Sequence, residues 1–216
     1  MAEADNDKAR EQALSEQEKE ALKFLDRDFN QCFQQMRHYD TQIFEIMKFS
    51  VTTYTAVLAA ALGLHQFGIK ERFDFTITIA CILATGLLFG FFLFALVVRN
   101  RVYFVQVARY INEQRGLFFA LRPLGFSNRS RMYRDPLRPP FFSPRSSQAW
   151  FMYLSAALNG VLSFTLLVLA APPGLGWKAA VSGFVVVLQL ILGICYLNYR
   201  EDRSAESAVW GQPGRT

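Results

Sequence analysis

Two patterns of apolar positions meet in this chain without a break between them. Leu22, Leu25, Phe29, Cys32, Met36, Tyr39, Ile43 and Ile46 recur at spacings of 3, 4, 3, 4, 3, 4 and 3. That is an a/d seam held for more than three heptads, and it predicts an amphipathic helix that needs a partner for its apolar stripe. From residue 49 the stripe gives way to unbroken apolar runs. No Asp, Glu, Lys or Arg occurs in 49–69, 75–98, 146–177 or 179–199. A bilayer core takes about 20 apolar residues as helix, so the runs predict four transmembrane helices, at 49–67, 75–98, 150–171 and 179–197. A soluble domain of 216 residues could not bury four such segments.

The seam also joins the first span directly. Residues 15–48 contain neither Gly nor Pro, and Ser15 with Glu18 fits a capping box. One helix is therefore expected from about residue 15 to 66, its 15–48 part standing about 40–50 Å clear of the membrane at 1.5 Å per residue. Beyond the second span, Phe104, Ala108, Ile111 and Phe118 recur at helical spacing, interrupted by Arg115. A helix over 99–122, continuous with span two, follows. The 68–74 loop is short, so spans one and two are antiparallel neighbours, and so are their continuations. The expected fold is an all-α membrane protein with four transmembrane helices, spans one and two extending into the cytoplasm as a long antiparallel helical hairpin. Leu22, Leu25, Phe29, Met36, Tyr39 and Ile43 would face Phe104, Ala108, Ile111 and Phe118 across it.

Charge supplies the orientation. The chain is net +5 overall, but residues 1–48 hold eleven acids and seven bases while 99–145 holds ten arginines and two acids. Basic loops stay inside, which places 99–145 in the cytoplasm and, with an even number of spans, both termini there too. The expected location is the inner (plasma) membrane. Opposite net signs on the two arms favour their pairing and fix its register. The first 43 residues lack a signal-peptide pattern, so the first span is expected to serve as its own targeting signal. Residues 1–14 read as a disordered tail and 198–216 as a cytoplasmic C-terminal tail.

The connector, 123–149, is rich in Arg and Pro, and Pro136, Pro139, Pro140 and Pro144 forbid a long helix in it. Arg129, Arg131, Arg134, Arg138 and Arg145 alternate with Phe126, Tyr133, Phe141 and Phe142. Arginine favours planar, bidentate contacts to phosphate or carboxylate. Three readings compete: adhesion to anionic lipid headgroups at about 1 kcal/mol per base, docking on an acidic helix of this chain or a partner subunit, and nucleic-acid binding. Headgroup adhesion is preferred, and no RNA-binding or helix-turn-helix pattern supports the last.

Inside the spans the ionisable residues that mark a transport path are missing. Thr52 and Thr55 in span one, Asn159 in span three and Gln189 in span four are the intramembrane polar candidates. Gly86 and Gly90 form a GxxxG pair, and Gly160 follows Ala156 at the same spacing, all suited to helix packing. Cys32, Cys81 and Cys195 lack metal-ligand spacing and read as free thiols. Neither HExxH, a P-loop, GxSxG, GxGxxG nor CxxC occurs, and His38 and His65 fall on opposite sides of the bilayer. No cofactor and no enzymatic activity are expected. The reading is a multi-pass membrane protein that self-assembles and engages a cytoplasmic partner through its hairpin, as scaffold, sensor or effector. In plan it resembles small bacterial membrane effectors that cooperate with a separate sensor protein, a likeness of architecture that assigns no residue a role. The alternatives are an oligomeric channel lined by the polar residues above and a lipid-acting enzyme.

Overall fold

The computed structural model describes residues 16–120, 135 and 137–203. They form four helices and no strand: α1 (Glu16–Glu71), α2 (Thr76–Ala120), α3 (Ser147–Ala170) and α4 (Leu175–Arg203). All four are long and apolar enough to cross a membrane. At 56 and 45 residues, α1 and α2 measure about 84 and 68 Å at 1.5 Å per residue. That is more than twice the roughly 30 Å of a bilayer's hydrocarbon core. Neither breaks where charge begins, because no Pro interrupts them and Gly116 alone does not stop a helix.

The helices pack in chain order, α1 on α2, α2 on α3 and α3 on α4, with further contacts of α1 on α3 and α2 on α4. Along the first pair, Asp28 meets Tyr110, Tyr39 meets Tyr103 and Gln42 meets Asn100. Further on, Tyr54 lies beside Gly90 and Val57 beside Gly86. One number climbs as the other falls, so α1 and α2 run antiparallel in one register from residue 28 to the turn.

The turn between them spans 72–75 and shows why α1 runs to Glu71 rather than ending near 66. Arg72 takes the left-handed conformation (φ 56°), and the Phe73 N–H closes on the Gly68 carbonyl at 3.0 Å. This is the six-residue closure that ends many helices, and so little chain suffices that the helix can run on. A side chain at 68 would bring a Cβ within 2.7 Å of the Phe73 carbonyl oxygen. Asp74 then starts α2 by accepting the Thr76 N–H at 2.9 Å, and hydrogen bonds from Thr76 hold its carboxyl below the usual range. The α3–α4 turn, 171–174, uses Gly174 at φ 131°, and Lys178 donates to the Val168 and Ala171 carbonyls at 3.3 and 3.1 Å. Its ammonium caps α3 and neutralises the negative end of that helix. At the other end of the bundle, Ser146 caps α3 by accepting the Ala149 N–H, so the helix starts at Ser147.

Two apolar clusters fill the bundle. Tyr54, Ala61, Ile79, Leu83, Leu93 and Leu162 pack toward the turns. Ile43, Met47, Val97, Val98, Val105, Phe141 and Leu197 are among those packed toward the connector. Gly68→Ala is expected to destabilise the protein by about 1–3 kcal/mol in denaturant titration. Gly176→Ala, where a Cβ meets nothing within 4 Å, should change stability by no more than about 0.5 kcal/mol.

Candidate functional site

Past residue 98, α2 turns an arginine face toward the connector. Arg101, Val105, Arg109 and Asn112 recur every three or four residues, and all are buried. Arg101, only 7% exposed, donates Nε to the Phe141 carbonyl at 2.8 Å, Nη2 to the Pro140 carbonyl at 2.6 Å and Nη1 to Gln148 Oε1 at 3.0 Å. Two turns on, Arg109 donates Nε to the Pro139 carbonyl at 3.0 Å and pairs through Nη2 with Glu201 at the end of α4. Asn112 Nδ2 reaches the Arg138 carbonyl at 2.8 Å. Prolines force this part of the connector to show bare carbonyls, and α2 supplies a row of donors that meets them.

Glu201 closes the arrangement. One carboxylate oxygen takes Arg109 and the other accepts the Phe141 N–H at 2.8 Å. The Phe141 ring is fully buried under the Arg109 guanidinium, 4.7 Å from its centroid. A cavity of about 10 Å³ remains beside Arg101, Phe141 and Gln148, room for one water at most. Burial, with Arg109 nearby, pushes Arg101 down to about 10, which leaves it a cation at neutral pH. The Arg138–Pro139 peptide bond is cis.

The two arms meet through polar and aromatic contacts. Asp28 accepts the Tyr110 hydroxyl at 2.7 Å and Gln114 Nε2 at 2.8 Å. Tyr39 stacks on Tyr103 at 5.8 Å, Arg115 lies over the Phe29 ring, and Asn100 donates to Gln42. The hydrogen bond to Asp28 raises the Tyr110 phenol to about 12. Burial, with Asp28 close, raises the Cys32 thiol, away from the thiolate a nucleophile requires.

Within the apolar part, Tyr54 of α1 hydrogen-bonds Asn159 Oδ1 of α3, and Asn159 Nδ2 donates to Gln189 Oε1 of α4 at 2.7 Å. Gln189 then donates to the Val185 carbonyl at 3.3 Å. Asn159 is fully buried. A Cβ at Gly90 would collide with Asn159 Oδ1 and the Tyr54 hydroxyl, so α2 contributes to this relay by leaving it space.

The residues singled out in the sequence are distributed as follows. Leu22, Leu25, Phe29, Met36 and Tyr39 are half-buried and Ile43 is buried; opposite them, Phe104 is half-buried and Ala108 and Ile111 are buried. The direct partners across the pair include Asn100, Tyr103, Tyr110 and Gln114, polar or amphipathic residues that an apolar-periodicity reading passes over. Arg138 and Arg145 are exposed, while Arg129, Arg131, Arg134 and the Phe118 side chain lie outside the described residues, as does Ser15. Gly86 and Gly160 face Val57 and Val186 of this same chain. Asn159 and Gln189 are joined, whereas Thr52 and Thr55 point outward from the bundle. Arg101, Arg109, Gln148 and Glu201 carried no signal beyond the proline-rich stretch that they bind. Among the described residues no group of three His, Cys, Asp or Glu could hold a metal ion. No family model, curated protein or solved structure matches the chain.

Arg109→Ala removes an ion pair, a carbonyl contact and a ring contact together. It is expected to cost about 2–4 kcal/mol and to speed proteolysis within 137–146. Among the described residues Arg138→Ala breaks only an exposed pair to Asp135 at 3.8 Å, and it should cost less than about 0.5 kcal/mol. The raised Tyr110 pKa has a definite sign. Its contribution is complete below pH 10 and declines as the pH rises from 10 through about 12. The stability difference between wild type and Tyr110→Phe, followed by thermal unfolding, should therefore be flat to pH 10 and vanish above 12.

Proposed function

We propose that this chain is a multi-pass inner-membrane protein with both termini in the cytoplasm. In this reading α1 and α2 continue past the membrane surface as a paired helical arm. The protein assembles with further copies of itself and engages a cytoplasmic protein partner through the arm, as a scaffold, sensor or effector rather than as an enzyme. The observation that carries this is the unbroken register of α1 against α2, from Tyr54 at Gly90 out to Asp28 at Tyr110. A pair of helices more than twice as long as a bilayer's hydrocarbon core is thick, held together along much of that length, has a large part outside the core.

The ends of the apolar segments support the orientation. Lys48, Arg99 and Arg145 are exposed at the connector end, where an anionic inner leaflet would attract them. At the turn end Lys70 and Arg72 stand beside Glu71 and Asp74, and Lys178 is occupied by the α3 carbonyls. Exposed Trp150 and Trp177 lie at the starts of α3 and α4, at opposite ends of the bundle, where an aromatic belt belongs. On the arm, Phe24 is exposed and the Leu22–Tyr39 seam is only half-covered by α2, which leaves apolar surface for a partner.

Single cysteines in a cysteine-free background test the topology. Arg72→Cys should react with a membrane-impermeant maleimide in intact cells, and Arg145→Cys only after permeabilisation; the reverse pattern overturns the orientation. Mass measurement in mild detergent should give several copies per particle. On native gels of solubilised membranes, deleting 16–42 should release the partner and shift the complex. A strictly single-copy particle together with complexes unchanged by the deletion would remove the reading.

A further inference from the structure

The outward face of α1 within its apolar part is built from small and polar side chains. The buried face runs through Ile43, Met47, Ser50, Tyr54 and Ala61. At 3.6 residues per turn, the opposite face carries Thr52, Thr55, Ala56, Ala59, Gly63 and Gln66, every one exposed. Larger residues flank it, Val51 and Leu62 on one side and Phe49 and Phe67 on the other, all exposed. The result is a shallow lengthwise groove.

Lipid is a poor occupant for that groove. Among the four candidate spans α1 is the least apolar, and with α4 it is the least covered by the rest of the chain. The two solve the same exposure differently. The open face of α4 shows Phe184, Val187, Ile191 and Leu192, side chains that acyl tails accept. On α1 the open face shows hydroxyls and an amide. Some glycines are small for neighbours within the chain, and others are not. A Cβ at Gly86 would meet Val57 at 2.9 Å and one at Gly160 would meet Val186 at 2.5 Å, so neighbours within the chain require them to be small. A Cβ at Gly63 meets nothing within 4 Å, as at Gly183 on α4, so nothing among the described residues requires the small size of Gly63. A second helix lying in the groove would, since small residues four apart let helix backbones approach closely in a membrane.

The groove continues toward the connector end into Glu45 and Lys48, an exposed pair 2.9 Å apart on the same face. A stripe carrying one sign would repel its own copy. This one carries both signs within one turn, so Lys48 of one copy can reach Glu45 of another inserted in the same sense. Such self-complementarity is what a two-fold contact requires. We infer that the Thr52–Gln66 face of α1 is the contact between two copies of this chain, packed as parallel helices in the membrane. The inference rests on the proposed membrane insertion and self-assembly, and it assigns them a surface.

Disulfide trapping in native membranes tests it, with Cys32, Cys81 and Cys195 replaced by Ser. Ala59→Cys should form a covalent dimer on mild oxidation at least about tenfold faster than Leu188→Cys on the open face of α4, because a disulfide requires Cα atoms within about 7 Å. Adding Gly63→Leu should abolish the Ala59→Cys product while thermal stability stays unchanged, since position 63 has free space within the chain. Equal trapping at both positions, a product unaffected by Gly63→Leu, or cross-linking to a species of foreign mass would each overturn the inference. Detergent particles of several copies without trapping at Ala59→Cys would remove this surface and leave self-assembly standing. Single-copy particles without trapping would remove both.

Discussion

Arg101 and Arg109 make a buried charge affordable by giving it carbonyl oxygens, and much of the connector end depends on that exchange. A guanidinium taken from water costs several kcal/mol unless its donors are met. Here they are met by the carbonyls of Pro139, Pro140 and Phe141, by Gln148 and by Glu201. Four parts of the chain, α2, the connector, the start of α3 and the end of α4, are joined by two side chains. The bonds are reciprocal in effect: without the arginines, the consecutive carbonyls of Pro139, Pro140 and Phe141 would be left with too few donors, and without the carbonyls the arginines would be stranded. The connector is thereby folded back as a wedge, with Phe141 at its tip inside the same apolar cluster as Ile43, Val105 and Leu197.

The opposite half of the bundle is organised by a smaller polar relay. Tyr54, Asn159 and Gln189 link α1, α3 and α4 through side chains that are each bonded, while Gly90 of α2 leaves the space they occupy. In an apolar surrounding such contacts typically contribute 1 kcal/mol or less each. Their larger effect is to set rotation and height, because only one register places all three groups in reach. The relay thus fixes which face of α1 turns inward, and with it which face is left outside. The exposed groove of Thr52, Ala59 and Gly63 follows from Tyr54 pointing into the bundle.

Separating the two kinds of basic residue sharpens the functional reading. By count, 99–145 is a strongly cationic segment. In space, two of its arginines are internal ties, while Arg99, Arg138 and Arg145 remain exposed. Any attraction to headgroups or acidic partners therefore falls on fewer charges than the sequence counts. The same sorting applies at the turn end, where Lys178 is spent as a helix cap and adds no free cation to that surface.

Much of the architecture was legible because it depends on local periodicity and on backbone hydrogen bonding. Uncharged runs of about 20 residues have one economical solution, the helix, and the 3–4 spacing of Leu22 to Ile46 specifies a helix face without any knowledge of what covers it. Short turns then force neighbours to be antiparallel. Long-range pairing is a different matter, since no period in the sequence marks it. The docking of 137–146 onto α2, the bond of Glu201 to Phe141, and the choice of Tyr103 and Tyr110 rather than large apolar residues as partners for the first arm join residues up to 82 positions apart. They depend on where α3 and α4 place their ends. The sequence by itself determined how many helices form and which stripe of the first is apolar, because those follow from each residue and its near neighbours; where α1 and α4 end was set by the turns and contacts at their termini. The tertiary structure alone decided which arginines are buried, which polar residues meet inside the bundle and which face of α1 is left open, because each depends on the shape of surfaces that exist only after the helices have packed.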